Sequence, residues 1–220
     1  MACLSESRRE EDRDARNAAE RGRRDRHERT AAPVDQGSPR PAVAGDICVL
    51  LAPSGPVSRT GAALVDRLQA ALGGERVEPL HVTVDRVTTD DAAALIRIVR
   101  ESVRRLRPAP VLVDRLYFLP SEYRGPEIVK LEVASDPVLD EDMNELLAAL
   151  RRRGLPSLYS SDRVKPTITT LQRVTRSTSV TSEMSEMPLE LFVADRVIVS
   201  RITGPARYEV LDSASIPASG

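Results

Sequence analysis

The sequence predicts an α+β fold made of two similar lobes, each a β-sheet covered by helices, preceded by a disordered charged tail. Short apolar runs that end at Pro, Gly or Ser alternate along the chain with segments whose apolar residues recur at helical spacing. Two Thr-containing segments, His81–Val87 and Thr167–Val174, also resemble each other weakly and both end in Arg-Val. We therefore predict a tail at 1–43 and one two-lobed domain at 44–217.

The tail is predicted from its composition. Residues 1–43 consist mainly of Arg, Asp, Glu, Ala and Pro, with almost no large apolar side chain. Such a segment cannot bury enough surface to offset the entropy lost on ordering. Because its acidic residues nearly balance its arginines, a solvated tail is favoured over an arm that binds RNA or a protein partner.

The elements of the domain follow from apolar periodicity and from the residues that start and stop helices. In chain order we predict a strand at 46–52; a helix capped by Ser58 or Thr60 and closed by Gly73-Gly74; a strand with His81; a helix capped by Thr89 and ended by Pro108; strands at 111–119 and 127–134; a helix opened by Asp136-Pro137; a strand at 164–174; and closing strands at 189–193, 195–202 and 207–211.

Composition limits the classes of function. The formal net charge is −1 and aromatic residues make up 3% of the chain, which disfavours a long nucleic acid as ligand. The two cysteines, Cys3 and Cys48, form neither a disulfide framework nor a zinc pattern and fit a reducing compartment. No segment is long and apolar enough for a membrane span. We expect a cytoplasmic monomer with no membrane contact, no metal and no cofactor.

The sequence His81-Val-Thr83-Val is the strongest chemical signal in the chain. In a strand, His81 and Thr83 point to one side, and Val82 and Val84 are expected on the opposite, buried side. An imidazole titrates near neutral pH and a hydroxyl can hold a phosphoryl oxygen, so the pair suits phosphate chemistry. The other histidine, His27, lies in the tail, which argues against a pocket with two imidazoles.

These segments resemble the 2H phosphoesterase superfamily, which includes 2'-5' RNA ligases and cyclic phosphodiesterases. The strand Ile47–Pro53, a helix and Pro79-Leu-His81-Val-Thr83-Val resemble its first half. Lys165-Pro-Thr167-Ile-Thr169-Thr-Leu resembles its second Pro-His-x-Thr strand, and 195–200 with 206–211 resemble its closing strands. The similarity spans nearly all of the chain from Gly45 onward.

The resemblance implies a two-lobed fold whose cleft is lined by both motif strands. In this family one histidine acts as base and the other as acid on a cyclic or 2'-5' phosphodiester, and the two motif threonines hold the phosphate. His81 and Thr83 fill the first motif and Thr169 fills the second threonine position, but Thr167 stands where the second histidine is expected. In an alternative register Lys165 matches that histidine and Thr167 matches the threonine.

From the resemblance we expect a 2',3'-cyclic or 2'-5' linked nucleotide, or an RNA-end phosphodiester, bound in the cleft. The expected catalytic residues are His81 and Lys165, the lysine serving as a cation, or as an acid if burial depresses its pKa. The expected phosphate ligands are Thr83, Thr167 and Thr169. Loss of the second histidine implies reduced or lost activity. The alternative is a non-catalytic nucleotide-binding or protein-interaction module on the same fold.

Overall fold

The computed structural model describes residues 40, 42–121, 125–155, 157–159, 166–176, 187–204 and 207–218. The predicted tail up to residue 39, and Lys165, lie outside the described residues. Arg40, which we assigned to the tail, donates to Asp46 through both Nη1 (2.9 Å) and Nη2 (2.5 Å). The disorder predicted for the rest of the tail stays a prediction.

Within the described residues the chain forms nine strands and three helices. Their bounds are β1 Ile47–Ala52, α1 Arg59–Leu72, β2 Glu75–Arg76, β3 Val82–Val87, α2 Ala92–Val103, β4 Ala109–Ser121, β5 Gly125–Val133, α3 Pro137–Arg152, β6 Thr167–Gln172, β7 Leu189–Ala194, β8 Arg196–Gly204 and β9 Arg207–Ser215. In this part of the chain no helix is long and apolar enough to cross a membrane.

The strands form two antiparallel sheets that share one apolar core. The first sheet has the order β3-β1-β8-β9 and the second has the order β2-β6-β5-β4-β7. Helix α1 packs on β7, α2 packs on β8 and β9, and α3 packs on β3 and β4. The core cluster contains residues of both sheets and all three helices. The predicted arrangement of sheets covered by helices is therefore present.

The helix caps show where the sequence prediction was right and where it was wrong. Ser58 caps α1, since its Oγ accepts from Gly61 N at 2.9 Å. Asp136 caps α3 through Val138 N and Leu139 N, both at 3.0 Å. For α2 the expected cap Thr89 is wrong. Asp91 caps this helix by accepting from Ala94 N at 2.8 Å, and the Thr89 hydroxyl instead accepts from Asp91 N at 3.1 Å.

Strand β2 was not predicted, and it connects the second sheet to the first. Glu75 pairs with Gln172 and Arg76 pairs with Leu171. The pairing with β6 continues one residue further, because Val77 N donates to Thr170 O at 3.0 Å. The chain then turns through 78–80 and enters β3 in the first sheet. Two residues carry too little periodicity to be recognised as a strand from the sequence.

Candidate active site

His81 lies immediately before β3 and is 5% exposed. Its Nδ1 atom lies 2.7 Å from the carbonyl oxygen of Pro79. A carbonyl oxygen only accepts, so Nδ1 carries the proton and donates it. In the neutral ring Nε2 is then the basic nitrogen.

Tyr208 also contacts the His81 ring. The ring centroids are 5.7 Å apart and the planes make an angle of 80°, an edge-to-face contact. Tyr208 belongs to β9 and His81 precedes β3, which are the two opposite edges of the first sheet. The sheet must therefore curl strongly, so that residues at its two edges meet on one face.

Thr83 lies on the face of the first sheet that is turned away from the main core. Its neighbours Val82 and Val84 are 0% and 2% exposed and belong to the main core, as predicted. Thr83 pairs with Leu50, which is part of a second, smaller apolar cluster. Among the described residues that cluster contains no helix residue, and its members are Cys48, Leu50, Ala52, Ile198 and Ile202, with Ala42 and Tyr208 packed against it.

Thr167 and Thr169 lie on the face of the second sheet that is turned away from the main core. Both are half-buried, whereas Ile168 between them is fully buried in the main core. The alternation therefore turns both hydroxyl-bearing side chains away from that core. Cα atoms of β3 and β6 also come within 8 Å of each other. The four predicted residues of the described part thus lie in or directly before β3 and β6, two strands of different sheets that approach each other, and each lies on the face turned away from the core.

Residues 157–159, which precede β6 in the chain, are hydrogen-bonded to the end of β3. Ser157 Oγ donates to Asp85 Oδ1 at 2.6 Å, and Leu158 N donates to Arg86 O at 2.8 Å. The Arg86 guanidinium lies 5.0 Å from the centroid of the Tyr159 ring and its Nε is 3.4 Å from Asp46. These buried contacts tie the chain before β6 to β3.

A β-bulge in β3 and another in β6 allow the sequences of the two motif strands to be aligned with each other. In β3, Val49 pairs with Asp85 and Leu50 with Thr83, so Val84 is the extra residue. In β6, the same interruption leaves Thr170 as the extra residue. Each bulge directly follows a motif threonine, Thr83 or Thr169. By this internal comparison Thr167 holds the position of His81, and of the two registers left open by the sequence this one is favoured.

Two charged residues that the sequence analysis missed lie beside the threonines of β6. Lys130 pairs with Thr169 and Glu132 pairs with Thr167 across the β5–β6 ladder. Both charged side chains are half-buried, and Leu131 between them is fully buried in the core. Directly paired residues have Cβ atoms about 4.5–5.5 Å apart on one face. Only the cross-strand register, which the sequence does not reveal, identifies these neighbours.

Gln172 is a further polar residue at the end of β6. It is 1% exposed, and within the described region neither its Nε2 nor its Oε1 has a hydrogen-bond partner. Its neighbour Leu171 is in the core, so Gln172 lies on the face of Thr169. A buried amide without hydrogen-bond partners lowers the stability of the folded state.

The described residues contain no group of three or more His, Cys, Asp or Glu side chains that could hold a metal ion. The chemistry available in the described part of this site comes from an imidazole, three hydroxyls, an ammonium and a carboxylate. That set can accept and donate protons and can bind an anion.

Comparisons with known proteins establish the fold. No protein-family model and no curated protein matches the sequence. Among solved structures, Escherichia coli LigT complexed with 3'-AMP matches with a TM-score of 0.54 at 15% identity, over 79% of this chain and 99% of that chain. The protein TT0787 of Thermus thermophilus matches with a TM-score of 0.54 at 18% identity, over 80% of this chain and 100% of that one.

A third structure, a phosphoesterase, matches with a TM-score of 0.53 at 13% identity, over 79% of this chain and 99% of that chain. LigT has also been solved with NADP+ and with ATP. The described domain therefore has the fold of LigT and this phosphoesterase, and the predicted fold is confirmed.

Proposed function

We propose that this protein is a 2H-type phosphoesterase that hydrolyses a small 2',3'-cyclic or 2'-5' linked nucleotide phosphodiester. The main support is the placement of His81 and Thr83 at the start of β3 and of Thr167 and Thr169 on β6, which approaches β3, with all four residues on faces turned away from the core. The match in fold to LigT, a protein solved with 3'-AMP, NADP+ and ATP, supports a nucleotide as ligand.

In the proposed reaction the threonine hydroxyls donate to the non-bridging oxygens of the phosphate. His81 Nε2 removes a proton from a water molecule, whose oxygen attacks phosphorus. The bond from phosphorus to one ribose oxygen breaks and that oxygen takes up a proton. The Pro79 carbonyl holds the Nδ1 proton and stabilises the imidazolium that forms. Lys165 adds positive charge near the phosphate in this proposal.

The reaction also needs an acid, and Thr167 does not supply one. A threonine hydroxyl donates a hydrogen bond but does not release its proton near pH 7. Removal of one member of an acid–base pair typically costs about 100- to 10,000-fold in rate. We therefore expect slower turnover than in an enzyme with two histidines.

The test is hydrolysis of 2',3'-cyclic AMP, followed by chromatography of the nucleoside monophosphate product. We expect measurable turnover by the full chain and a loss of at least about 100-fold in His81→Ala. His27→Ala, which removes the other imidazole, is the matched control and is expected to keep the full rate. Equal rates for the full chain and His81→Ala would overturn the proposal.

The position of Thr167 favours a second candidate, a protein that binds a nucleotide in the same cleft without hydrolysing it. In that case calorimetry detects binding of 3'-AMP while no product forms, and Thr83→Val with Thr169→Val weakens binding. A flat titration across the four nucleoside 3'-monophosphates would exclude this candidate.

A further inference from the structure

We propose that Lys130 replaces the second histidine and donates the proton to the leaving ribose oxygen. This inference rests on the proposed function and identifies the acid that the proposed reaction requires. The register from the β-bulges places Thr167 where that histidine is expected, so the acid must come from another strand or segment. Lys130, on the adjacent strand β5, is the paired neighbour of Thr169.

The placement of Lys130 suits this task. It lies on the same face of the second sheet as Thr167 and Thr169, because Leu131 and Ile168 both turn into the core. A lysine side chain is long enough to reach past a paired threonine toward an anion held by its hydroxyl. The residue is half-buried, so its charge is screened less by solvent than that of an exposed lysine.

The chemistry of an ammonium group also fits. As the bond from phosphorus to the ribose oxygen breaks, an alkoxide develops that is far more basic than an amine. The Lys130 ammonium transfers one proton to that oxygen and becomes a neutral amine. His81 holds the proton taken from water, and exchange of protons with solvent restores both groups. One water is consumed, and one nucleoside monophosphate is formed.

Glu132 completes the arrangement from the same strand. It pairs with Thr167, two residues along β5 from Lys130 and on the same face. Its negative charge therefore lies on the same face of the sheet as the positive charge of Lys130.

The sequence makes the test simple, since it contains two lysines, Lys130 and Lys165. Steady-state kinetics of the full chain on 2',3'-cyclic AMP are compared for Lys130→Met, Lys130→Arg, Lys165→Met and His81→Ala. Arg104→Met, which removes an exposed charge at the end of α2, is the matched control. We expect Lys130→Met to lower kcat by at least about 100-fold, and by more than Lys165→Met does.

Lys130→Arg separates charge from proton donation, because a guanidinium does not release its proton. We expect it to bind the substrate with an unchanged KM and to remain at least about tenfold below the parent in kcat. A nucleoside phosphodiester with a nitrophenolate leaving group needs no acid. On that substrate we expect Lys130→Met to lose less than about tenfold.

An unchanged kcat in Lys130→Met, or equal losses on the two substrates, would overturn the assignment of Lys130 while leaving the role of His81 intact. If His81→Ala keeps the parental rate, the proposed function fails, and the assignment fails with it. Circular dichroism of Lys130→Met and Lys130→Arg verifies that both variants are folded.

Discussion

His81 and Tyr208 meet edge to face although His81 directly precedes β3 and Tyr208 belongs to β9, the two opposite edge strands of the first sheet. The contact joins the two edges of the curved sheet on the face that carries the smaller apolar cluster, and Tyr208 packs against this cluster. The ring of His81 is thus held from two directions, by Tyr208 and by the Pro79 carbonyl. A rigidly held imidazole is what proton transfer to a fixed substrate requires.

We expect Tyr208→Leu to destabilise the protein by about 1 kcal/mol, because it removes an edge-to-face ring pair. It should also lower kcat/KM by roughly tenfold, since His81 loses one of its two supports. Tyr208→Phe keeps the ring and should retain most of both properties. Urea unfolding measures the stability of both variants and steady-state kinetics measures their kcat/KM. A kcat/KM of Tyr208→Leu equal to that of the parent would contradict the role of Tyr208 in positioning His81.

The tautomer of His81 is directly measurable. We expect the neutral ring to carry its proton on Nδ1, because the Pro79 carbonyl oxygen at 2.7 Å only accepts. Nitrogen-15 NMR distinguishes the two tautomers, and with two histidines in the chain the spectrum is simple. His27→Ala assigns the signals. A neutral ring protonated on Nε2 would contradict the proposed role as base.

Gln172 offers a prediction about stability. Replacing it by Met removes two buried polar atoms that have no hydrogen-bond partner among the described residues, and it keeps a similar volume, so we expect the free energy of unfolding to rise by about 1–2 kcal/mol. Thr170→Val, two residues away, is the matched control. Its hydroxyl donates to Val129 O at 3.2 Å, so this change should lower stability by about 1 kcal/mol. A destabilised Gln172→Met would show that the amide is satisfied.

Two aspartates outside the site should give opposite pH dependences of stability. Burial raises the pKa of Asp142, even though Arg107 N donates to it at 2.7 Å. Hydrogen bonds from Arg100 at 2.9 and 2.6 Å lower the pKa of Asp212. The folded state therefore favours the protonated form of Asp142, which costs stability as pH rises through its pKa. It favours the ionised form of Asp212, which adds stability that is lost as pH falls.

The measurement is urea unfolding of Asp142→Asn and Asp212→Asn at pH 3 and pH 7. Relative to the parent, Asp142→Asn should gain stability between pH 3 and pH 7, because the parent then has a penalised carboxylate. Asp212→Asn should lose stability over the same interval. If the stability of both variants relative to the parent changed in the same direction between pH 3 and pH 7, the assigned pKa shifts would be contradicted.

Local signals in the sequence predicted the helices well. Ser58 before α1 and Asp136-Pro137 before α3 act through hydrogen bonds within four residues, so the sequence nearby is sufficient. At α2 the sequence analysis named Thr89 as the cap, whereas Asp91, two residues later, caps the helix. The choice depends on backbone angles that the sequence does not give.

The site could be predicted only in part. His81 and Thr83 are two residues apart at the start of β3, so their common face follows from the period of an extended chain. Lys130 is a neighbour of Thr169 only because a bulge at Thr170 sets the register between β5 and β6. A shift of one residue would place Lys130 on the other face, so its role could not be predicted without the structure.

The proposed function requires that β3 and β6 together form one phosphate site. The decisive measurement is a titration of the full chain with 3'-AMP in which NMR follows the amide signals of Thr83 and Thr169 and the ring signals of His81. We expect all three to shift along one saturation curve with a single dissociation constant. Shifts confined to one of the two strands, or the absence of any shift in the His81 ring, would contradict it.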